Sequence, residues 1–375
     1  MNSKILNKYS NQIYGYLFIS PAVILISIFG IFPVFFGFYM SFHKWKVFKG
    51  RFLGFENYNR ILGDISSFWI FVFGLLLLIF SYWLWSEFKD KYKNKFLLAI
   101  FLISISIFAI FIINTSWSRM HELGDDDFLN SIIYIFYYSF FAILSEVGLG
   151  LIIAYGLYQK LKGKQFFQMI LLLPYITPAV MGAAVFFIIF GKAENSLLNQ
   201  FIGFFGIDPQ LWLFDKRPIT EVLFGIKIKG FFAGPSLALT SAILYGIWSY
   251  TGYYAIILLA GLSIIPTDLY EAAKAEGASR WQTFTKITIP LLMPIIFFLL
   301  LTGFINSFQA FNHIYVMQTS SAGDTMDVVT VEIFDHFWGR VKYGYAAAEG
   351  VVLFILLNVL AISQYVFFRK RLNYD

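Results

Sequence analysis

The feature that most constrains this chain is a succession of apolar runs, each about as long as a bilayer is thick. A helix rises about 1.5 Å per residue, so about 20 largely apolar residues cross the hydrocarbon core. Eight segments meet that requirement: 13–42, 68–85, 96–114, 131–158, 166–190, 236–262, 290–317 and 345–368. They are too long for barrel strands and lack period-two alternation, so helices are the spans they can form. Charged residues make up 13% of the chain, against roughly 25% in soluble domains. The expected fold class is an all-α polytopic membrane protein.

Lys and Arg suggest an orientation. With the N-terminus inside, the inner loops hold Lys89, Lys91, Lys93 and Lys95, then Lys160, Lys162 and Lys164. They continue with Lys274, Arg280 and Lys286, and end with Arg369, Lys370 and Arg371. Both termini are then cytoplasmic. The 115–130 loop is acidic (Glu122, Asp125, Asp126, Asp127) and falls outside, whereas 43–67 runs against the bias with Lys44, Lys46, Lys49, Arg51 and Arg60. Lys4 and Lys8 precede the first run without a small-residue cleavage site after it, which reads as a retained span. The net charge of +6 therefore serves membrane orientation, and no nucleic-acid partner is expected. There is no cysteine, and His43, His121, His313 and His336 are scattered, so no metal site is expected.

Two stretches carry finer information. Pro174 and Pro178 interrupt the fifth run, freeing carbonyls from their helical partners; a packing kink is the plain reading, a place in the substrate path the sharper one. Between the sixth and seventh runs, 266–290 is patterned as two short helices. Thr267 or Asp268 caps the first, Asp268 and Glu271 having capping-box spacing, and Gly277 ends it. Ser279 with Gln282 repeats the capping box and starts the second. Ala272, Ala273 and Ala275 keep the first helix thin, so that a partner surface can approach it. An amphipathic helix lying on the membrane is the competing reading.

Glu271-Ala272-Ala273, Gly277 and Ile287-Thr288-Ile289-Pro290 resemble the EAA loop of binding-protein-dependent ABC importer permeases, with Ile289 where Leu is usual. The resemblance extends to sugar permeases of the maltose-transporter type at Phe52–Tyr58, Leu161–Lys164, Leu172–Tyr175, Gly191–Asn199, Trp212-Leu213 and Tyr343–Ala346, while Ile265–Glu271 and Ile287–Leu291 are especially similar to the larger permease of maltose-type carbohydrate-uptake systems. It implies a six-helix type I importer core with an additional helix pair. On this reading 1–67 is the N-terminal span and first outer loop. Residues 68–114 are an inserted transmembrane pair, and 115–375 are the permease core with its coupling loop at 266–290.

The implied function is a permease subunit in a prokaryotic cell membrane moving a sugar or related polyol inward. It has no ATPase site of its own and no cofactor, since ATP is bound by a partner; no phosphate-binding loop GxxxxGK[ST] occurs. Implied partners are an ATP-binding cassette dimer, a second permease subunit, an extracytoplasmic solute-binding protein and the lipid bilayer. Glu271, Ala272, Ala273, Gly277, Ile287 and Pro290 are the expected contacts to the ATPase.

Carried over by position from that resemblance, the expected substrate residues are Tyr253, Phe308, Gln309 and Asn312. They belong to runs where amides (Asn306, Gln309, Asn312) and rings (Phe304, Phe308, Phe311, Trp248, Tyr250, Tyr254) are interleaved, as hydroxyls and pyranose faces require. No Arg or Lys stands among them for a phosphate. Amides in spans also serve to bond neighbouring helices, the blander reading. Glu146, within the fourth run, is open to three readings: protonated, paired with another helix, or near the interface. It supports an alternative, a proton-coupled secondary transporter. Glu349 reads as interfacial. A membrane-embedded transferase would need clustered carboxylates, and Asp125–Asp127 reads instead as a solvated loop end.

Overall fold

The computed structural model describes residues 3–88, 95–159, 161–228 and 230–372. Lys89, Lys91, Lys93 and Lys160 lie outside the described residues, as do the side chains of Lys4, Lys8, Lys370 and Arg371. Among the described residues seven helices are long and apolar enough to cross a membrane, or eight if a helix pair bent by 92° is counted as one span. Each of the eight apolar runs falls on one of them.

The chain divides into two compact units, one of Met1–Ile61 with Ile333–Phe354, the other of Leu62–Glu332 with Ile355–Asp375. In the first unit, α1 (Ser3–Ile26) passes through a π-helical turn, Ser27–Ile31, into α2 (Phe32–Ser41). The turn sits just before Pro33, which has no N–H for the carbonyl four residues back; Phe32 N–H bonds instead to Ser27 O. A hairpin of β1 (His43–Trp45) and β2 (Lys49–Phe52) follows, then α3 (Glu56–Leu62). Asn57 and Tyr58 are buried and fasten α3 back to the end of α2. Asn57 Nδ2 donates to Ser41 O at 2.7 Å, and the Tyr58 and Ser41 hydroxyls lie 2.6 Å apart. Two of the basic residues that oppose the charge bias, Arg51 and Arg60, both approach Glu56, at 4.0 and 2.5 Å.

Glu349 is fully buried in the protein, and its Oε1 lies 2.9 Å from His336 Nδ1. The partner was hidden because the π turn Asp335–Gly339 brings His336 back toward Glu349.

In the second unit, α4 (Ile65–Phe88) and α5 (Lys95–Leu123) pack on each other, Ser81 donating to Leu102 O at 3.1 Å. The core is α6 (Asp126–Tyr158), followed by α7 (Lys164–Ile176), α8 (Ala179–Ile189), α9 (Leu197–Gly203), α10 (Ile219–Phe224) and α11 (Leu237–Ile264). Next come α12 (Thr267–Ala275), α13 (Arg280–Thr283), α14 (Ile289–Phe308) and α15 (Asn312–Met317), while α16 (Val329–Phe334) and α17 (Tyr343–Leu372) each contribute residues to both units. Lipid tails are as apolar as leucine, so spans associate by close packing rather than by escape from water. Ala142, Gly150 and Ala154 on α6 and Gly246 and Ala255 on α11 are buried small residues that allow this. Leu258, Leu262, Leu292 and Leu299 fill the α6–α11–α14 core.

The end of α17 is fastened to α4: Arg369 Nη2 donates to Glu87 Oε2 at 2.9 Å, and Phe367 stacks on Tyr82 with centroids 5.2 Å apart. The helix pair of 68–114 is thus attached to the last span by an ion pair and stacked rings.

Candidate coupling loop and substrate site

The 266–290 loop forms the two short helices its sequence predicts. The first cap differs from expectation: Pro266, not Thr267 or Asp268, occupies the N-cap of α12, and no side chain bonds there. Its ring fixes φ at −59°, and the main-chain carbonyl of Pro266 takes the first bond, from Leu269 N–H at 3.3 Å.

The other end is a Schellman motif. Ala278 N–H donates to Ala273 O at 2.9 Å and Gly277 N–H to Lys274 O at 3.1 Å. Gly277 sits at φ +75° with no heavy atom within 4 Å of where a Cβ would stand, so conformation rather than space requires glycine.

Ser279 then makes the full capping box with Gln282, at 3.2 and 2.8 Å. The helix runs on through a π turn, Phe284–Thr288, placed before Pro290 as Ser27–Ile31 is placed before Pro33. Tyr270 Oη and Thr288 Oγ1, 3.2 Å apart, join α12 to the base of α14. Glu271, Ala272, Gly277 and Pro290 are exposed, Ala273 and Ile287 half-buried. The loop therefore holds its shape internally and leaves its thin face open.

The substrate candidates fall in two places. The seventh run is not one helix to residue 317: α14 stops at Phe308, and α15 begins again at Asn312. Buried His313 anchors the restart, its Nε2 2.7 Å from the Tyr138 hydroxyl and its ring 5.1 Å from Tyr245. Phe308 is buried, whereas Gln309 and Asn312 are exposed on either side of the break.

Tyr253 is elsewhere, stacked on Tyr175 with centroids 4.6 Å apart and planes 17° apart, and Tyr250 meets Tyr175 edge-on at 5.8 Å. No hydrogen bond or ring contact among the described residues joins this aromatic group to Gln309 or Asn312.

Tyr175 was missed in the sequence, although it stands between the two prolines. Those prolines produce the 92° bend between α7 and α8. Gly252 lets the bent chain approach α11: a Cβ there would come within 1.7 Å of Leu171 O.

Glu146 is buried between α6 and α11, 2% exposed, with its Oε1 beside Gly246. It takes part in no ion pair among the described residues.

The chain matches the model of a family described as "Binding-protein-dependent transport system inner membrane component" over residues 146–374. It is 26% identical over 352 residues to the trehalose/maltose transport system permease protein MalF of Thermococcus litoralis, covering 93% of this chain and 92% of that protein. It is 29% identical over 227 residues to the arabinooligosaccharides transport system permease protein AraP of Bacillus subtilis, covering 60% of this chain and 66% of that one. The fold is similar to a chain in the crystal structure of a bacterial alginate ABC transporter in complex with an alginate pentasaccharide-bound periplasmic protein. The TM-score is 0.54 at 22% identity, covering 78% of this chain and 99% of that chain.

Proposed function

The chain belongs to the family of binding-protein-dependent transport system inner membrane components, and from that premise we propose that it is the permease subunit of an ATP-driven importer for a neutral sugar, best an oligosaccharide. The observation that carries the coupling half is the exposed, self-capped loop of α12, Gly277 and α13. It is a preformed docking element on a chain without a GxxxxGK[ST] motif, so the nucleotide is hydrolysed on a separate cassette dimer. Glu271, Ala272, Ala273 and Gly277 are its contact face, and Ile287 and Pro290 carry the movement into α14. A second permease subunit completes the pathway, and an extracytoplasmic solute-binding protein delivers the substrate. Helices α4 and α5 are an inserted pair on the six-span core, attached through Glu87 and Arg369.

The sugar is read from chemistry and from the relatives. The free amides of Gln309 and Asn312 suit hydroxyl groups, and the Tyr175–Tyr253 stack offers a ring face to a pyranose. The relatives' names speak of trehalose, maltose and arabinooligosaccharides. Family membership removes the ground for a secondary transporter built on Glu146.

The test is uptake of labelled maltooligosaccharide and arabinooligosaccharide into proteoliposomes holding the complex with its co-purified subunits and binding protein. Uptake of at least one should require internal ATP and survive a protonophore; uptake driven by a proton gradient without ATP would overturn the reading. The double variant Gln309→Leu, Asn312→Leu should abolish uptake while the subunits still co-purify, and unchanged transport would reject that site.

A further inference from the structure

The loop between α8 and α11 carries exposed rings that the transport reading does not use. Phe224 is 70% exposed and Phe232 82%. We propose that Ile219–Phe224 and the Phe231–Ala233 turn form an interfacial membrane anchor, with Phe224 and Phe232 inserted among lipids at the edge of the hydrocarbon, on the face opposite the 266–290 loop.

Depth is set by α6. Asp126 and Asp127 open that helix and mark the polar surface. Phe136 lies nine residues past Asp127, about 14 Å along the axis at about 1.5 Å per residue. The headgroup layer is only about 5–8 Å deep on each side, so Phe136 is already level with the hydrocarbon.

Phe231 packs against this level, its ring 5.7 Å from Phe136 and 5.3 Å from Tyr137, and the Tyr137 hydroxyl donates to Phe231 O. Phe136 stacks with Phe140, and both are exposed, which makes them part of a bare apolar strip along the span. The Phe231–Ala233 turn continues that strip.

Helix α10 is pinned near the same level. Thr220 Oγ1 donates to Ala233 O at 2.7 Å and Ile219 N–H to Pro235 O at 2.9 Å. Lys227, exposed and 3.8 Å from Glu221, follows Phe224 by three residues and would meet lipid phosphates there. Exposed phenyl rings below the headgroups with a cation beside them are the composition of an interfacial segment. A water-soluble partner does not reach that depth; the second permease subunit does, and spin labels separate it from lipid. The anchor depends on the membrane location, not on which sugar is carried.

The chain has no cysteine, so single-site spin labels report cleanly. Labels at F224C, F232C and K227C are read in nanodiscs, on the full chain with the subunits that co-purify. Asp127→Cys serves as the aqueous reference and Leu144→Cys, exposed on α6 and about 26 Å past Asp127 on the same scale, as the lipid one. The anchor predicts collisions with oxygen exceeding those with a water-soluble nickel chelate severalfold at 224 and 232, on the side of the Leu144 ratio. Lys227 should fall between the references, and that less disruptive position stands if either Phe variant fails to assemble. Ratios equal to that of Asp127 would place the loop in water and overturn the proposal. Exclusion of both reagents would overturn it too, by showing that a partner protein covers the rings.

Discussion

The 266–290 loop and the α7–α8 bend are both interruptions of helical structure, yet they are held in opposite ways. In the loop the fixing bonds are short in sequence: Ala278 to Ala273, Ser279 with Gln282, Tyr270 with Thr288. At the bend they are long in sequence: Tyr175 on Tyr253 and Leu171 O against Gly252. A locally bonded element keeps its shape when the helices around it move, whereas contacts between α7 and α11 last only as long as the two helices keep this arrangement. In the proposed importer the first property suits a lever that a cassette subunit pushes, and the second suits a site that must open and close.

Substitutions that strike one region and spare the other sharpen the contrast. The largest effect is expected at Gly252→Ala, where the new Cβ meets a main-chain carbonyl and α7 must leave α11. Overpacking of that kind costs about 3 kcal/mol or more, so yield and thermal stability in detergent should collapse; wild-type melting would break the claim of close approach. Tyr175→Ala should leave folding and basal ATP hydrolysis intact and weaken apparent sugar affinity by about two- to tenfold, as loss of an aromatic contact worth about 0.5–1.5 kcal/mol implies. Tyr175→Phe should keep most of it, and an unchanged half-saturation concentration in the alanine variant would separate the bend from the substrate. The smallest effect belongs to the loop: Ser279→Ala removes a cap worth about 1 kcal/mol and should slow transport by no more than about fivefold. A complete loss would show that Ser279 itself touches the partner.

The same division explains what was legible in the sequence. Spans follow from bilayer thickness and are visible in a one-dimensional apolar profile. The Gly277 end and the Ser279 capping box are local chemistry and can be read in a few residues. The α12 start was misassigned because Pro266 displaces Thr267 and Asp268 from the cap position. The stop after Phe308 was invisible, since Gln309-Ala310-Phe311 contains neither glycine nor proline, and what anchors the restart is His313 bonded to Tyr138 on another span. Tyr175 and the His336–Glu349 pair share that character, their partners being set by tertiary packing.

The most direct test of the coupling claim is substrate-stimulated ATP hydrolysis by the complex carrying Gly277→Asp. A side chain at φ +75° costs about 1–2 kcal/mol in backbone strain, and the carboxylate would stand on the face offered to the cassette subunit. The account predicts that the cassette subunit co-purifies poorly and that sugar and binding protein no longer stimulate hydrolysis, while the permease still extracts as a folded membrane protein. An intact complex with undiminished stimulation would contradict it.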